Sequence, residues 1–261
     1  MDRNNIEKIA QTPEDKVLLA KLWDKIQIGI RKNIPAHTGF LSPRELELAR
    51  FLFGQEDGLY TFGGYDDAER KMYLYLPDYL DENYLFSDDS PIVCLRACFY
   101  KNETLSHRDF LGALMGCGIT RESVGDILVS ESSCDFFAAE EIASYLLQNF
   151  ETAGRVKVRL SQVPLTEVSV PEPHFSEIRD TVASVRLDSI LSAGFRISRT
   201  QAADAILSGK AAIDGLPCEK PDRILTEAAK ISLRGYGKIK LSEIGHITKK
   251  GRISVVIHRY E

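Results

Sequence analysis

The spacing of apolar positions in the first ninety residues predicts two helices followed by a β-hairpin. Thr12 is suited to cap a helix with Pro13 at its first position, and lysines edge the apolar stripe that follows: Val17, Leu18, Lys21, Leu22, Lys25 and Ile26. A second helix is expected after the capping-box residues 42–45, before the apolar Leu46, Leu48 and Phe51. Aromatic-rich residues 59–62 and 70–76 flank a Gly- and Asp-rich turn and predict the hairpin.

From Pro91 the pattern becomes β, α, β, β, α, β. Strands are expected at 92–100, 126–130 and 134–138, and helices from Ser106 and over 139–149. The last strand alternates most strictly, with the cations Arg155, Lys157 and Arg159 between Val156, Val158 and Leu160. This succession is that of the split βαβ, or ferredoxin-like, arrangement of RNA-recognition motif (RRM) domains. The three cations are a candidate RNA surface, and a solvated sheet face is the alternative, because the aromatic RNP1 pattern is absent.

The last third of the chain predicts two short helices and a β-ribbon. An amphipathic helix is expected at 185–191, and the capping box Ser198-Arg199-Thr200-Gln201 starts another. Four residues of this second helix are expected to face the core: Ala202, Ala203, Ile206 and Leu207. Strands are expected at 211–213 and 230–233, the first followed by the turn Asp214-Gly215.

The predicted fold class is therefore α+β, with three domains. An N-terminal helical and β-hairpin domain covers residues 1–85, and an RRM-like α/β domain covers residues 86–165. Residues 166–180, which include Pro171 and Pro173, lack periodicity and are expected to be a linker. The C-terminal domain of two helices, a β-ribbon and a basic tail covers residues 181–261.

Charge is distributed unevenly along the chain. The whole sequence has 33 Lys plus Arg and 38 Asp plus Glu, net −5. Residues 181–261 have 14 and 8, net +6, which leaves net −11 for residues 1–180. A basic segment on an acidic body favours an anionic partner for that segment.

Several protein classes are disfavoured. No apolar run approaches the roughly 18 residues of a membrane span, and residues 1–8 lack the apolar stretch of a secretory signal. The five cysteines are odd in number and form no CxxC pair, and Cys94 and Cys98 are expected to be small buried apolar residues. We therefore expect a cytoplasmic protein with no membrane association, no metal site and no cofactor.

Arg199 occupies an informative position. A cation in the first turn of a helix faces the positive end of the helix dipole, an arrangement that costs roughly 0.3 to 1 kcal/mol. A phosphate bound at this helix end would reverse the sign of that contribution. Arg196 and Lys210 would flank the same helix. A solvated arginine is the alternative interpretation.

These residues resemble an S4 RNA-binding domain over about residues 181–245. The resemblance rests on Arg186-Leu187-Asp188, residues 198–202, Ser208-Gly209-Lys210, Asp214-Gly215 and Ile231-Ser232. It implies structured RNA as the partner and six candidate contact residues: Arg186, Arg196, Ser198, Arg199, Gln201 and Lys210. The family usually has Asn where this sequence has Asp214. Arg234, Lys238, Lys240 and the basic residues 248–252 add further candidate cations among glycines, with two exposed hairpin turns as the alternative.

S4 domains occur in several classes of protein. A pseudouridine synthase is disfavoured because the only Arg-Leu-Asp, residues 186–188, belongs to the S4 pattern. A methyltransferase is disfavoured because Gly63-Gly64 lies in a hairpin, and His107-Arg108-Asp109 has no kinase phosphate loop beside it.

The whole chain resembles the bacterial YlmH family. This resemblance rests on residues 40–45, 62–65, 68–70, 106–114 and 125–127, joined to S4 in the same order. It implies a non-catalytic RNA-binding protein that binds rRNA and tRNA on large ribosomal subunits obstructed by peptidyl-tRNA and assists quality control of the stalled chain. A monomer is expected. Two alternatives remain: an S4-targeted RNA-modifying enzyme with chemistry near His107, Asp109 and Glu69, and a cell-division adaptor, an older label for the family.

Overall fold

The computed structural model describes residues 3–54, 57–100, 103–168, 170 and 175–260. Backbone contacts divide the chain into two units, Met1–Pro171 and Glu172–Glu261. Each unit is described by itself. Among the described residues, no helix combines the length and apolar character needed to cross a membrane.

Three helices open the first unit: α1 (Ile6–Ile9), α2 (Pro13–Lys32) and α3 (Pro43–Phe53). The predicted caps are confirmed, because the side chains of Thr12 and Ser42 each accept a hydrogen bond from the amide three residues later. The inward face of α2 differs from the prediction. Val17 is exposed, and the buried stripe consists of Asp15, Leu19, Leu22, Ile26 and Gly29. Phe51 of α3 is exposed as well, while Leu52 and Phe53 are buried.

A three-stranded antiparallel sheet follows these helices. It consists of β1 (Ala36–His37), β2 (Leu59–Phe62) and β3 (Met72–Tyr75), in the order β1-β3-β2. The predicted hairpin between β2 and β3 is confirmed. The sequence did not predict β1, because a pair of residues is too short to show an alternation of apolar and polar positions.

The split βαβ arrangement is confirmed. Its elements are β4 (Ile92–Cys98), α4 (His107–Gly116), β5 (Val124–Val129), β6 (Ser133–Ala139) and α5 (Glu140–Asn149), followed by β7 (Thr152–Ala153), β8 (Val156–Lys157) and β9 (Arg159–Val163). The four-stranded sheet has the order β5-β6-β4-β9, and all its pairs are antiparallel. The expected single strand at 155–160 is two strands, because β8 pairs with β7 before the chain joins β4 as β9.

Both faces of this four-stranded sheet are buried at one end. One face packs Leu95 of β4 against Phe110 of α4 and Leu146 of α5. The other face packs Cys94 and Phe137 against the first sheet and its connections, in a cluster with Phe40, Phe62 and Met72. RRM domains bind RNA on an open sheet face. In this protein, residues that precede position 85 and residues that follow it pack together in one core on the corresponding sheet face. The domain boundary at residue 85 stays a prediction.

The second unit is a six-stranded antiparallel sheet with two helices. Its elements are β10 (Phe175–Val182), α6 (Leu187–Phe195), α7 (Arg199–Leu207), β11 (Ala211–Ile213), β12 (Leu216–Pro217), β13 (Lys230–Leu233), β14 (Gly237–Ile247) and β15 (Ile253–Tyr260). The strand order is β10-β15-β14-β13-β11-β12. Its core packs Ile190 and Ile206 of the two helices with Ile231, Ile239 and Ile257 of the sheet. The two predicted helices are confirmed, although Leu207 is exposed.

One expectation about this part of the chain needs correction. Residues 175–180 are strand rather than linker, because all eight residues of β10 pair with β15. The inward side of β10 carries only Ile178 and Val182 as apolar residues, so its alternation is weak in the sequence. Pro171 and Pro173 lie outside the described residues. The basic tail consists mainly of the long antiparallel pair β14 and β15.

Cys94 and Cys98 have different environments. Cys94 is buried, and burial raises the pKa of its thiol to about 12. Cys98 ends β4 and is exposed, so the expectation that both are buried is wrong for Cys98. All five cysteines are free thiols. Among the described residues, no group of three or more His, Cys, Asp or Glu side chains could hold a metal ion.

Candidate nucleic-acid interface

A buried carboxylate joins the first turns of the two helices of the second unit. Asp188 lies at the start of α6, and its side chain is 8% exposed. Its Oδ2 accepts a hydrogen bond of 2.7 Å from Nη2 of Arg199, the first residue of α7. Arg186, the N-cap residue of α6, donates to Oδ1 from Nε at 3.2 Å and to Oδ2 from Nη2 at 3.4 Å. The two guanidinium groups are therefore held side by side.

The main chain fixes this arrangement. The amides of Leu187 and Asp188 donate to the carbonyl oxygens of Arg223 and Pro221, so the loop before β13 anchors the start of α6. Burial by itself raises the pKa of Asp188. The hydrogen bond and charge of Arg199, together with those of Arg186, outweigh burial, and the pKa lies below its usual value. Asp188 is thus a carboxylate whose charge orients two cations at the surface.

The capping box at the start of α7 is confirmed. The amide of Gln201 donates to Ser198 Oγ at 3.1 Å, and the amide of Ser198 donates to Gln201 Oε1 at 3.0 Å. These bonds satisfy amides that a helix start leaves without partners. The two side chains therefore position Arg199, and direct RNA contact by either stays a prediction.

Arg196 and Arg199 line the same cleft. Arg196 follows α6 in the left-handed conformation, at φ 55°, and its side chain is exposed. A cleft of about 230 Å³ is lined by both arginines and by Arg252 from the turn between β14 and β15. Nε of Arg252 donates to Thr181 Oγ1 at 2.9 Å, which holds it there. Three guanidinium groups around one cleft suit a phosphate.

Arg252 was not among the predicted site residues. The sequence placed it only among the basic residues 248–252. Its position depends on the pairing of β10 with β15, which brings Thr181 opposite Ser254 near the turn. Because β10 was expected to be linker, nothing in the local pattern brought Arg252 to Arg199.

The other predicted cations of the second unit, Lys210, Arg234, Lys238 and Lys240, do not line this cleft. Lys210 follows α7 and is exposed, and its carbonyl oxygen accepts from the amide of Arg234 at 3.0 Å, which ties the two backbones together. Lys238 and Lys240 alternate with the buried Ile239 and so share the opposite face of β14. Lys240 lies directly across from Lys230 of β13. This sheet face therefore concentrates positive charge.

Asp214 has a structural role. It lies in the left-handed conformation, at φ 49°, in the turn after β11, and its Oδ1 accepts from the amide of Lys230 at 2.9 Å. Asn and Asp both tolerate this conformation and can accept such a bond. The departure from the Asn usual in S4 domains is therefore compatible with the same turn.

The structure does not place the three predicted RNA-binding cations of the first unit on one strand. Arg155 lies in the turn between β7 and β8, Lys157 lies in β8, and Arg159 lies in β9 of the four-stranded sheet. All three are exposed. Nearby on the sheet face, Arg96 donates two hydrogen bonds of 2.7 and 2.6 Å to the buried Asp135. RNA binding by Arg155, Lys157 and Arg159 stays a prediction.

The three residues suggested for catalysis differ in their surroundings. Asp109 accepts from the amide and hydroxyl of Ser106 at 2.8 and 2.6 Å, and these bonds lower its pKa. Burial lowers the pKa of His107, Arg121 lowers it further, and Asp126 opposes the shift. The amide of Glu69 donates to Asp126 at 2.6 Å. Asp109 is thus occupied as a helix cap.

Two family models match the chain. Residues 185–231 match the S4 domain, which includes Arg186, Arg196, Arg199 and Lys210. Residues 97–167 match a model whose description is "Putative RNA-binding domain in YlmH". The chain is also 32% identical over 224 residues to the ribosome-associated protein quality control protein P2 of Bacillus subtilis, covering 85% of this chain and 86% of that protein.

The chain belongs to the YlmH family. The chain also contains an S4 domain, as its sequence predicted. Its structure is similar to that of the cell division protein ylmH from Streptococcus pneumoniae, with 23% identity and a TM-score of 0.49, over 60% of this chain and 96% of that chain.

Proposed function

We propose that this protein is a non-catalytic RNA-binding factor that associates with the large ribosomal subunit and acts in the rescue or quality control of stalled translation. It binds rRNA and peptidyl-tRNA as a monomer in the cytoplasm. The observation that carries the proposal is the pair of guanidinium groups of Arg186 and Arg199, held on the surface of the S4 unit by the buried Asp188.

Fixed guanidinium groups support binding to an RNA backbone. An arginine that is already oriented loses less conformational entropy when it binds a phosphate than a free one does. Arg196 and Arg252 share a cleft with Arg199, and Lys210 lies at the far end of α7. This distribution suits a backbone that runs along the helix rather than one small ligand.

Charge supports docking through one unit. The net charge is +6 over residues 181–261 and −11 over residues 1–180. The acidic part is repelled by RNA except at local basic patches, so the S4 unit makes the main contact. Affinity then depends strongly on salt, because each neutralised phosphate releases counterions.

Two observations support the ribosome as the RNA target and a binding role. The Bacillus subtilis relative is named a ribosome-associated quality control protein and is similar over 85% of this chain. In the described part of the chain, the carboxylate of Asp109 accepts two hydrogen bonds from Ser106 in a helix cap, which makes it a weaker candidate for proton transfer in the suggested group with His107 and Glu69.

Sedimentation with purified large subunits tests the proposal. Charge reversal of Arg196 and Lys210 to Glu removes two exposed cations that have no role in holding Asp188, so the fold is retained. We expect R196E/K210E to lose association at low salt. A control with the same charge change, K8E/K32E, alters exposed lysines of the first unit and keeps association. Association of R196E/K210E at the level of the control contradicts the proposal.

A further inference from the structure

A cavity of about 660 Å³ in the first unit is lined by an unusual set of cations. Arg70 and Arg121 lie at its wall, and Lys21 and Lys25 of α2 lie at its edge. The volume falls within the range of small-molecule sites. The cavity belongs to the acidic part of the chain, yet its lining has four Lys or Arg side chains against three Glu side chains.

The two arginines are neighbours. Arg70 donates from Nη2 to the carbonyl oxygen of Phe40 at 2.8 Å and to that of Arg121 at 3.1 Å, and from Nε to that of Val124 at 3.1 Å. Arg121 donates from Nη1 to the carbonyl oxygens of Val124 and Gly125 at 2.5 and 3.0 Å. Every one of these acceptors is a neutral carbonyl group. The guanidinium groups of Arg70 and Arg121 are therefore held close to each other by hydrogen bonds to uncharged backbone carbonyl groups.

Three carboxylates also line the cavity, those of Glu45, Glu122 and Glu141, and Asp126 acts on both arginines from nearby. Asp126 accepts from the hydroxyl of Tyr65 at 2.8 Å and from the amides of Glu69 and Arg70 at 2.6 and 3.1 Å. Glu45 accepts from the amide of Ser42 at 2.7 Å, as part of the cap of α3. These carboxylates offset part of the charge at a distance. An anion in the cavity would provide direct neutralisation.

Electrostatics agrees with this geometry. Burial and the positive charge of Arg70 together lower the pKa of Arg121 to about 10. A bound anion would reverse both effects, because it favours the protonated guanidinium. Every buried side-chain N or O atom of the described residues has a hydrogen-bond partner. Guanidinium nitrogens without a protein acceptor are therefore open to solvent and to a ligand.

The other walls of the cavity are mixed in character. Leu18, Lys21, Leu22 and Lys25 follow one another at helical spacing along α2, so apolar and basic side chains face the cavity together. Phe40 and Met72 add buried apolar surface. Near the edge, Nε2 of His37 lies 3.6 Å from Oε1 of Glu141. A ligand with both an anionic and an apolar part fits these walls better than a bare ion does.

We propose that this cavity binds an organic phosphate of about nucleotide size, with Arg70, Arg121, Lys21 and Lys25 receiving the phosphate and the apolar wall receiving the rest of the molecule. The ligand is a free nucleotide or the 5′-phosphorylated end of an RNA. The site is separate from the S4 cations and does not depend on the function proposed for them. It gives a binding role to parts of the segments 40–45 and 68–70, namely residues 40–42, Glu45 and Arg70, which the S4 unit does not use.

Calorimetric titration of the full-length protein with AMP tests the proposal. We expect AMP to bind, inorganic phosphate to bind more weakly, and K21E/K25E to weaken AMP binding by about tenfold or more. Both lysines are exposed, so this variant keeps its fold. K32E, on the same helix away from the cavity, is the matched control, and R196E/K210E is expected to bind AMP normally.

Competition identifies the source of the phosphate. A 5′-phosphorylated RNA hexamer that displaces AMP indicates an RNA end, and one that does not displace it indicates a free nucleotide. Both results support the proposal. R121Q provides a second variant, with circular dichroism to verify its fold. Absence of AMP binding at about 10 mM, or binding by K21E/K25E and R121Q equal to that of K32E, overturns the proposal.

Discussion

Nη2 of Arg199 lies 2.7 Å from Oδ2 of Asp188, and this bond connects the first turns of the two S4 helices. Arg199 is at the positive end of α7, where a cation is unfavourable on its own. Asp188 offsets that cost from inside the unit while about half of the Arg199 side chain stays exposed. The arginine is thus both tied to the core and available to a phosphate.

Replacement of Asp188 by Asn is expected to weaken stability and RNA binding together. The change removes a charged acceptor from two arginines. We expect the free energy of unfolding to fall by about 1–2 kcal/mol, and no more than that, because both arginines are partly exposed to solvent. Chemical denaturation and RNA titration measure the two effects. D204N, an exposed Asp on α7, is the matched control. Equal stability and affinity of D188N and D204N would show that Asp188 does not organise the site.

Stability is expected to fall in acid through Asp15. Arg44 donates to both carboxylate oxygens of the buried Asp15 at 2.7 Å, and this bond is the main reason that its pKa lies at about 2. Because folding lowers the pKa of Asp15, its contribution to stability is fully present above its unfolded-state pKa of about 4. That contribution is lost as the pH falls through the folded-state pKa of about 2. The difference in unfolding free energy between wild type and D15N is expected to be about 2 kcal/mol at pH 7 and about half of that at pH 3. A difference that does not change with pH contradicts the assignment.

Gly64 is expected to tolerate no side chain. Its φ is 99°, and a Cβ atom there would lie 2.1 Å from the ring of Phe137 in the four-stranded sheet. G64A should therefore lower the free energy of unfolding by about 2–4 kcal/mol through strain and overpacking. Gly112 of α4 has open space around it, so G112A should raise stability by about 0.5–1 kcal/mol. Thermal denaturation of both variants compares them, and a neutral G64A would contradict the packing of the hairpin on the sheet.

Salt dependence is expected to report the number of phosphates contacted. If Arg196 and Lys210 each neutralise one phosphate, R196E/K210E should reduce the slope of log affinity against log salt by about 1.5–2. Filter binding of an RNA fragment over a range of salt concentrations measures this slope. A variant that loses affinity at every salt concentration with an unchanged slope would indicate a change in fold rather than lost phosphate contacts.

Caps and long periodic elements could be predicted from the sequence because their determinants are local. Thr12, Ser42 and Ser198 each lie three residues before the amide that they accept from, and the structure has all three bonds. The predicted apolar faces were less accurate. Val17 and Leu207 are exposed, since neighbouring elements decide which side of an amphipathic helix is covered.

The candidate site could be predicted only in part. The S4 pattern identified Arg186, Arg196 and Arg199, but it did not reveal that Asp188 joins two of them, because that contact depends on the packing of α6 against α7. Arg252 and the cavity at Arg70 are made by strands and loops far apart in the chain. Local periodicity contains no information about such contacts, so only the fold could show them.

Crosslinking of the protein to RNA in cells, with the contacted nucleotides and residues identified, tests the central claim most directly. We expect crosslinks on α6, α7 and the connection between them, around Arg186, Arg196, Arg199 and Lys210, to rRNA of the large subunit and to tRNA. Weaker crosslinks at Arg155, Lys157 or Arg159 would extend the interface to the first unit. Crosslinks confined to the first unit, or to RNA unrelated to the ribosome, would contradict the account.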